Sequence, residues 1–318
     1  MDVACIGLMV CDIIIKPVDK TVFDVDATQL DTLKIASGGD ALNVASNMSR
    51  LGLDVGLVGK VGNDVFGEYL INQAAKSGIN TCGVKKSDNC TTSTSIVMVD
   101  KTGERYFAYY SEANDSLSVD DIDFDYLSGA KIVHLGSAMA LPGLDGAGIE
   151  ELFKRAKASG AATSMDVTWD FTGSWLGKIE NALKYTDIFM PSYNEAKLIS
   201  NRETPEEMEE FFRCCGIKIF AVKLGSKGCF VTDFKDRHYI KTFDNVKVVD
   251  TTGAGDAFVS GFLTGISKNW DIYRCGIFGN AVASNCVMEI GATSGVKSFD
   301  EIIRFINDNS VSCKQVLT

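Results

Sequence analysis

The chain has 318 residues, 46% of them hydrophobic, and a net charge of −11 from 42 acidic against 31 basic side chains. This length and apolar content suit two average domains, or one large α/β domain with an appendage, and exclude a disordered chain. The acidic balance excludes a basic stripe for nucleic acid, since the longest basic run is Lys85–Lys86.

The first apolar run, VACIGLMVC (3–11), follows Asp2, has no Lys or Arg before it and is closed by Asp12. It is too short to span a membrane and lacks the basic start of a signal peptide, so residues 3–7 are expected as a buried strand. No other segment reaches the length of a membrane span. Residues 13–36 contain IIIKPV and LKIA with no helical period. GDALNVASNMSRLG (39–52) places Leu42, Ala45 and Met48 at helical spacing and ends on glycine. DVGLVG (54–59) predicts a strand, and residues 63–78 predict a helix with Asp64 as N-cap and Gly78 past its end. STSIVMVDKTGERYFAYY (93–110) predicts two strands around a DKTG turn.

The rest of the chain alternates. KIVHLG (131–136) predicts a strand, 146–160 a helix, ATSMDV (162–167) a strand, DIFMPS (187–192) a strand leading into YNEAKLIS, 205–215 a helix, and IKIFAVKLG (217–225) a strand. NVKVV (245–249) is expected as one more strand, with helices over 256–267 and 272–290 behind it. Strands alternating with helices predict an α/β fold: a doubly wound, mainly parallel sheet flanked by helices and joined by right-handed crossovers. The stretches at about 13–36 and 93–110 fit that sheet poorly and are expected as a small β-rich lid on a single domain running through residues 1–318.

Ten cysteines are scattered without a C-x-x-C pair, which predicts a reduced, cytoplasmic chain rather than a disulfide framework or zinc site. His134 and His238 are the only histidines, so a His-based triad or metal cluster is not expected.

The densest chemical signal is DTTGAGDAF (250–258). Gly253, Ala254 and Gly255 fall at the start of a helix, where unpaired amides and a partial positive charge bind an anion. Asp256 stands at the same point. An acid beside a phosphate is repulsive unless it takes a proton from an attacking hydroxyl. The bland alternative is a glycine-rich turn with Asp256 as a simple N-cap. No G-x-x-x-x-G-K-[ST] loop and no H-R-D or D-F-G set occurs, which disfavours P-loop enzymes and protein kinases.

DTTGAGDAFVSGFL resembles the C-terminal signature of the ribokinase-like (PfkB-type) carbohydrate kinases. SGGDALNVASNMSRLG (37–52), followed by VGLVGKVGNDVFG, resembles their other signature. PSYNEA (191–196) and VKLGSKG (222–228) resemble the family's phosphate/magnesium and nucleotide segments, so the likeness runs from residue 3 to residue 295. It implies the ribokinase-like fold and an ATP-dependent kinase acting on a hydroxymethyl group of a small sugar or sugar acid. Asp256 is then the base, with the Gly253, Ala254 and Gly255 amides on the moving phosphoryl group.

Asp12, Gly38, Gly39 and Asn43 are implied as sugar ligands: the glycines allow close backbone approach, and Asn43 offers a donor and an acceptor. Ser192, where the family often has Asn, is implied at the cofactor with Gly225, Ser226, Gly228 and Asn280. Glu195 would hold Mg²⁺, which keeps much of its hydration. Asp250, Thr252 and Gly291 would hold a monovalent cation such as K⁺. Relatives often dimerise through the lid, which implies a homodimer. Thr168 and Asp170 stand where fructokinase-like members have Asn and Arg, and Arg105 reads as a surface charge of the lid. A nucleoside kinase and a non-catalytic sugar sensor are the rival readings, with no nucleic-acid or membrane partner expected.

Overall fold

Residues 1–244 and 246–309 are described by the computed structural model. The strands in chain order are β1 (Val3–Ile6), β2 (Val10–Lys16), β3 (Thr32–Gly38), β4 (Val55–Gly62), β5 (Asn80–Ser87), β6 (Thr94–Val99) and β7 (Arg105–Tyr110). They continue as β8 (Ile132–Ala138), β9 (Ala162–Val167), β10 (Ile188–Phe189), β11 (Ile219–Lys223), β12 (Cys229–Thr232) and β13 (Arg237–Ile240). The helices are α1 (Asp40–Arg50), α2 (Val65–Lys76), α3 (Glu112–Asp115), α4 (Phe124–Leu127), α5 (Ala147–Ala158), α6 (Glu180–Leu183), α7 (Tyr193–Ser200), α8 (Pro205–Cys214), α9 (Ala254–Ser267), α10 (Ile272–Cys286) and α11 (Phe299–Asn309).

Nine strands form the main sheet in the order β13-β12-β11-β10-β9-β8-β1-β4-β5. It is parallel from β5 to β11, and β12 and β13 add an antiparallel edge. The period of two along β1 splits its side chains between two cores. Val3 and Cys5 pack with α1, α9 and α10, while Ala4 and Ile6 pack with α5, α7 and α8. Strand order reverses between β1 and β8, and ligands bind in the crevice at the carboxyl ends of strands at such a switch point.

Local chemistry explains the helices around it. Asp64 caps α2, accepting from the amides of Phe66 at 3.0 Å and Gly67 at 2.9 Å, as expected from the sequence. Thr204 and Glu207 cap α8 reciprocally, with Pro205 in its first turn. Helices α9 and α10 meet closely because Gly261 faces Gly279: a Cβ on Gly261 would lie 2.8 Å from the Gly279 Cα. That contact puts the loop before α9 and the loop after α10 side by side.

The stretches expected as a lid form a separate four-stranded sheet of order β3-β2-β6-β7. The DKTG turn joins β6 to β7 as predicted, with Thr102 N–H donating to Asp100 Oδ1 at 2.8 Å and Gly103 at φ +94°. Its first arm starts earlier and ends later than 13–36, at Val10 and Gly38. Cross-strand register places Ile13, Ile15, Leu33, Ile35, Ile96 and Met98 on one face, and Asp12, Ser95, Phe107 and Tyr109 on the other.

Three expectations need correction. Residues 246–249 form no strand: Val248 is 60% exposed and Val249 49%, so these valines pair with nothing in the sheet, and Asn245 lies outside the described residues. Strand β5 was not anticipated because Lys85 and Lys86 interrupt its apolar pattern, as suits a charged edge strand. The expected helix over 272–290 stops at Cys286. The single domain expected through residue 318 extends past the described residues, and with it Cys313.

Candidate active site

Helix α9 begins where the chain turns off the end of α10. The Val249 and Asp250 amides both donate to the Val287 carbonyl, at 2.8 and 3.2 Å. Gly253 then adopts φ +73°, and a Cβ there would meet Ala292 at 2.5 Å, so only glycine fits. No side chain caps the helix. The Ala254 amide closes a turn on the Thr251 carbonyl at 3.2 Å, which removes it from the expected set of phosphate donors. The Gly253, Gly255 and Asp256 amides have no partner among the described residues and are left for an anion. Asp256 is 9% exposed, and its Oδ2 accepts from Asn43 Nδ2 at 2.9 Å.

Lys223, at the end of β11, supplies the cation of this corner. Its ammonium donates to Asp166 Oδ2 at 2.6 Å and would lie 3.5 Å from a Cβ on Gly255. A Cβ at 255 would thus be in ordinary contact with that ammonium, which places Lys223 beside the start of α9. Asp40 accepts from the Ser137 hydroxyl nearby. Burial, and then the Asp40 charge, push Asp256 well above the usual carboxylate range. Burial raises Asp166 to about 7 although it is paired, and burial raises Asp40 too. Burial works against the Lys223 charge, yet Asp166 and Glu195 hold it above the ordinary lysine value. One ammonium thus faces four carboxylates: Asp40, Asp166, Glu195 and Asp256.

Between body and lid lies a cavity of about 430 Å³, lined by Leu8, Val10, Asp12, Gly39, Asp40, Ser95, Phe107, Tyr109 and Thr168. Asp12 enters it from β2, and burial pushes its carboxyl up to about 6. The two glycines of SGGD make room for the protein's own atoms, and Gly39 also lines the cavity. A Cβ on Gly38 would sit 2.4 Å from Asp12 Oδ2, and one on Gly39 2.4 Å from the Leu8 carbonyl oxygen. Asn43, expected at the sugar, donates one Nδ2 hydrogen to Asp256 Oδ2 at 2.9 Å. Thr168 lines the cavity, whereas Asp170 is 2% exposed and tied to Lys178 at 3.0 Å and the Trp175 amide at 2.7 Å.

Of the expected cofactor residues, Ser192 follows β10, Gly225, Ser226 and Gly228 lie between β11 and β12, and Asn280 stands within α10. Ser192 is the N-cap of α7: its amide donates to Glu195 Oε2 at 2.7 Å, and its hydroxyl accepts from the Glu195 amide at 3.4 Å. Serine in place of asparagine therefore completes a capping box and holds Glu195 in place. Gly225, Ser226 and Gly228 form the turn between β11 and β12; a Cβ on Gly228 would collide with the Ile240 carbonyl oxygen at 1.9 Å. Asn280 is 4% exposed and donates to the Ile240 and Lys241 carbonyls, so it fixes that loop and offers no open donor.

Arg105 is not a free surface charge. From β7 it reaches Asp250 Oδ2 at 2.9 Å and the Thr252 hydroxyl at 2.9 Å. Burial would raise Asp250, but the Gly291 and Thr252 amides, the Thr252 hydroxyl and Arg105 bring it down to about 2.

Sequence reasoning overlooked Lys223, Asp166 and Asp40 as site residues. Their signal was a charge ending or interrupting a buried apolar run, as in IFAVK and TSMDV. Their partners come from different strands, so spacing alone could not pair them.

The family description "pfkB family carbohydrate kinase" fits residues 1–298. The chain is 36% identical over 251 residues to an uncharacterized sugar kinase of Archaeoglobus fulgidus, covering 78% of this chain and 97% of that protein. It is 32% identical over 284 residues to a 5-dehydro-2-deoxygluconokinase of Clostridium perfringens, covering 85% and 83%. An E. coli protein assigned as ribokinase II, solved with ATP and Mg²⁺, superposes with a TM-score of 0.84 at 25% identity, covering 96% and 99%.

Proposed function

Because the chain belongs to the pfkB family of carbohydrate kinases and is an ATP-dependent sugar kinase, we propose that Asp256 is its catalytic base and that its acceptor is a neutral sugar. The observation that carries the first part is a buried carboxylate at the mouth of unpaired helix amides, oriented by Asn43. Asp256 takes the proton from a hydroxymethyl group as its oxygen attacks the γ-phosphoryl group. The Gly253, Gly255 and Asp256 amides and the Lys223 ammonium stabilise charge on that group as it moves. The rival sensor reading has no use for an acid held in such a place.

The cavity chemistry supports the second part. Its lining includes the carboxylates of Asp12 and Asp40 and no basic side chain. A sugar acid would add a third negative charge without a partner, whereas neutral hydroxyls donate to both. The name of the Clostridium relative points to an acid, so the choice is open to a direct test. Coupled-assay turnover with ATP is measured for D-fructose, D-ribose, 2-keto-3-deoxygluconate, 5-dehydro-2-deoxygluconate and adenosine. Faster turnover of a neutral sugar is expected; an acid or a nucleoside as the preferred acceptor would reverse the assignment.

Mg²⁺ fits the residues present. The described residues bring no three acidic side chains close enough to ligate an ion directly, but Asp40, Asp166 and Glu195 are hard oxygen donors whose charges act on one another, which suits an ion held through water. Glu195 would hold the ion through its water shell, and the ion would neutralise phosphate charge. The Asp250 loop, expected to hold a monovalent ion, holds the Arg105 guanidinium at 2.9 Å from Asp250 Oδ2. A homodimer through the lid is supported by the apolar outer lid face, where Leu33 is 64% exposed, and by a cavity of about 570 Å³ on that side near Met98 and Tyr106. Cytoplasmic placement is supported by nine unpaired cysteines among the described residues. No helix among these residues is long and apolar enough to cross a membrane.

The Asp12 environment gives a pH prediction. Its carboxyl titrates near 6, and only the ionised form makes a charge-assisted bond to a sugar hydroxyl. Sugar KM is expected to be flat above neutrality and to climb as pH falls through 6. Asp12→Asn should abolish that dependence and raise KM throughout. It should also raise the melting temperature of the sugar-free protein at pH 8: a raised carboxyl value means that ionisation costs the folded state as pH rises.

A further inference from the structure

The loop from Asp250 to Thr252 runs directly into Gly253 and the open amides of α9. Asp250 is 9% exposed, and both of its oxygens are occupied. Oδ1 accepts from the Thr252 amide at 3.1 Å and the Thr252 hydroxyl at 2.8 Å. Oδ2 accepts from the Gly291 amide at 2.8 Å and Arg105 Nη2 at 2.9 Å. A carboxylate has about four lone-pair positions, and here all are filled. The second Arg105 nitrogen, Nη1, donates to the Thr252 hydroxyl at 2.9 Å, so the fork grips two residues of the loop at once.

We propose that the Arg105 guanidinium is the resident cation of this loop, replacing a monovalent metal ion and latching the closed lid to the start of α9. The proposal rests on the sugar-kinase reading of the same site. Asp250 and Arg105 cancel in charge, so a metal ion could enter only by displacing the guanidinium. Arg105 belongs to the lid face that also carries Phe107 and Tyr109 into the sugar cavity. Opening the lid must therefore withdraw the cation from Asp250, leaving a largely buried carboxylate with neutral donors alone. Lid closure over a sugar and the shape of the phosphate-binding turn become one event, and Arg105 acts as a positioning residue through Asp250.

The test uses the full chain with ATP and Mg²⁺, and the fastest acceptor from the sugar panel. Potassium chloride is compared with tetramethylammonium chloride at equal ionic strength. Wild type should turn over equally in both. Arg105→Ala in tetramethylammonium should lose about tenfold or more in kcat, and potassium or guanidinium chloride should restore most of it. Arg105→Lys, which keeps the charge, should stay indifferent to potassium. In parallel, melting temperatures are read without sugar: Arg105→Ala should melt lower and gain stability from potassium, while wild type gains none. Potassium activation of the wild type, undiminished kcat in Arg105→Ala, or a loss that neither cation repairs would each overturn the proposal. If wild type turns over no acceptor, the kinase reading fails by itself, and the melting comparison still decides whether Arg105 fills the cation position.

Discussion

Asp256→Asn is expected to lower kcat by about 10²–10⁴-fold, the usual share of a positioned base, while the variant melts no lower than wild type. The two halves have one cause. Burial and the neighbouring Asp40 hold the Asp256 carboxyl well above the usual range, so its charge opposes folding. Such a group costs stability above its unfolded value, and the cost grows as pH rises toward the folded value. Asparagine removes the charge, and its carbonyl oxygen still accepts from Asn43 Nδ2. Sugar KM should change little, because asparagine keeps a hydrogen-bonding group of the same size beside the attacking hydroxyl. Retained turnover in a folded variant would remove the base from the mechanism. A variant that melts lower at pH 8 would instead show Asp256 acting as a structural cap.

What was readable beforehand divides along physical lines. The glycine-rich stretches announced themselves because bare backbone has few uses, and Gly253 is where the chain needs a left-handed turn against Ala292. The glycines of SGGD were assigned to the ligand; they also make room for Asp12 and Leu8 while Gly39 lines the cavity, since a glycine does not say whose atoms need the space. The DKTG turn and the Asp64 cap were legible because their chemistry is local. Lys223, Asp166 and Arg105 were opaque for the opposite reason. The Arg105–Asp250 pair spans 145 residues and Lys223–Asp166 spans 57, so only the topology brings either pair together.

Lys223→Met should have the largest combined effect. Removing one partner of a buried ion pair costs about 3–5 kcal/mol, and here it leaves Asp166 buried beside Asp40 and Glu195. Asp166 already titrates near 7 with the ammonium present and must rise further without it. Because its folded value lies above its unfolded one, the penalty grows with pH: largest at pH 8, and small at pH 5, where Asp166 is protonated. The double variant Lys223→Met/Asp166→Asn, which removes the stranded charge, should regain most of the stability at pH 8. It should not regain turnover. The ammonium faces the Gly255 turn, and losing one donor to a developing charge costs about 10²–10³-fold in kcat. Denaturant unfolding at both pH values, with kcat for the two single variants and the double, separates the roles. A double variant that turns over like wild type would leave Lys223 as a counter-ion for Asp166 and nothing more, and a single variant that is fully stable at pH 8 would show that the pair does not hold the strand ends together.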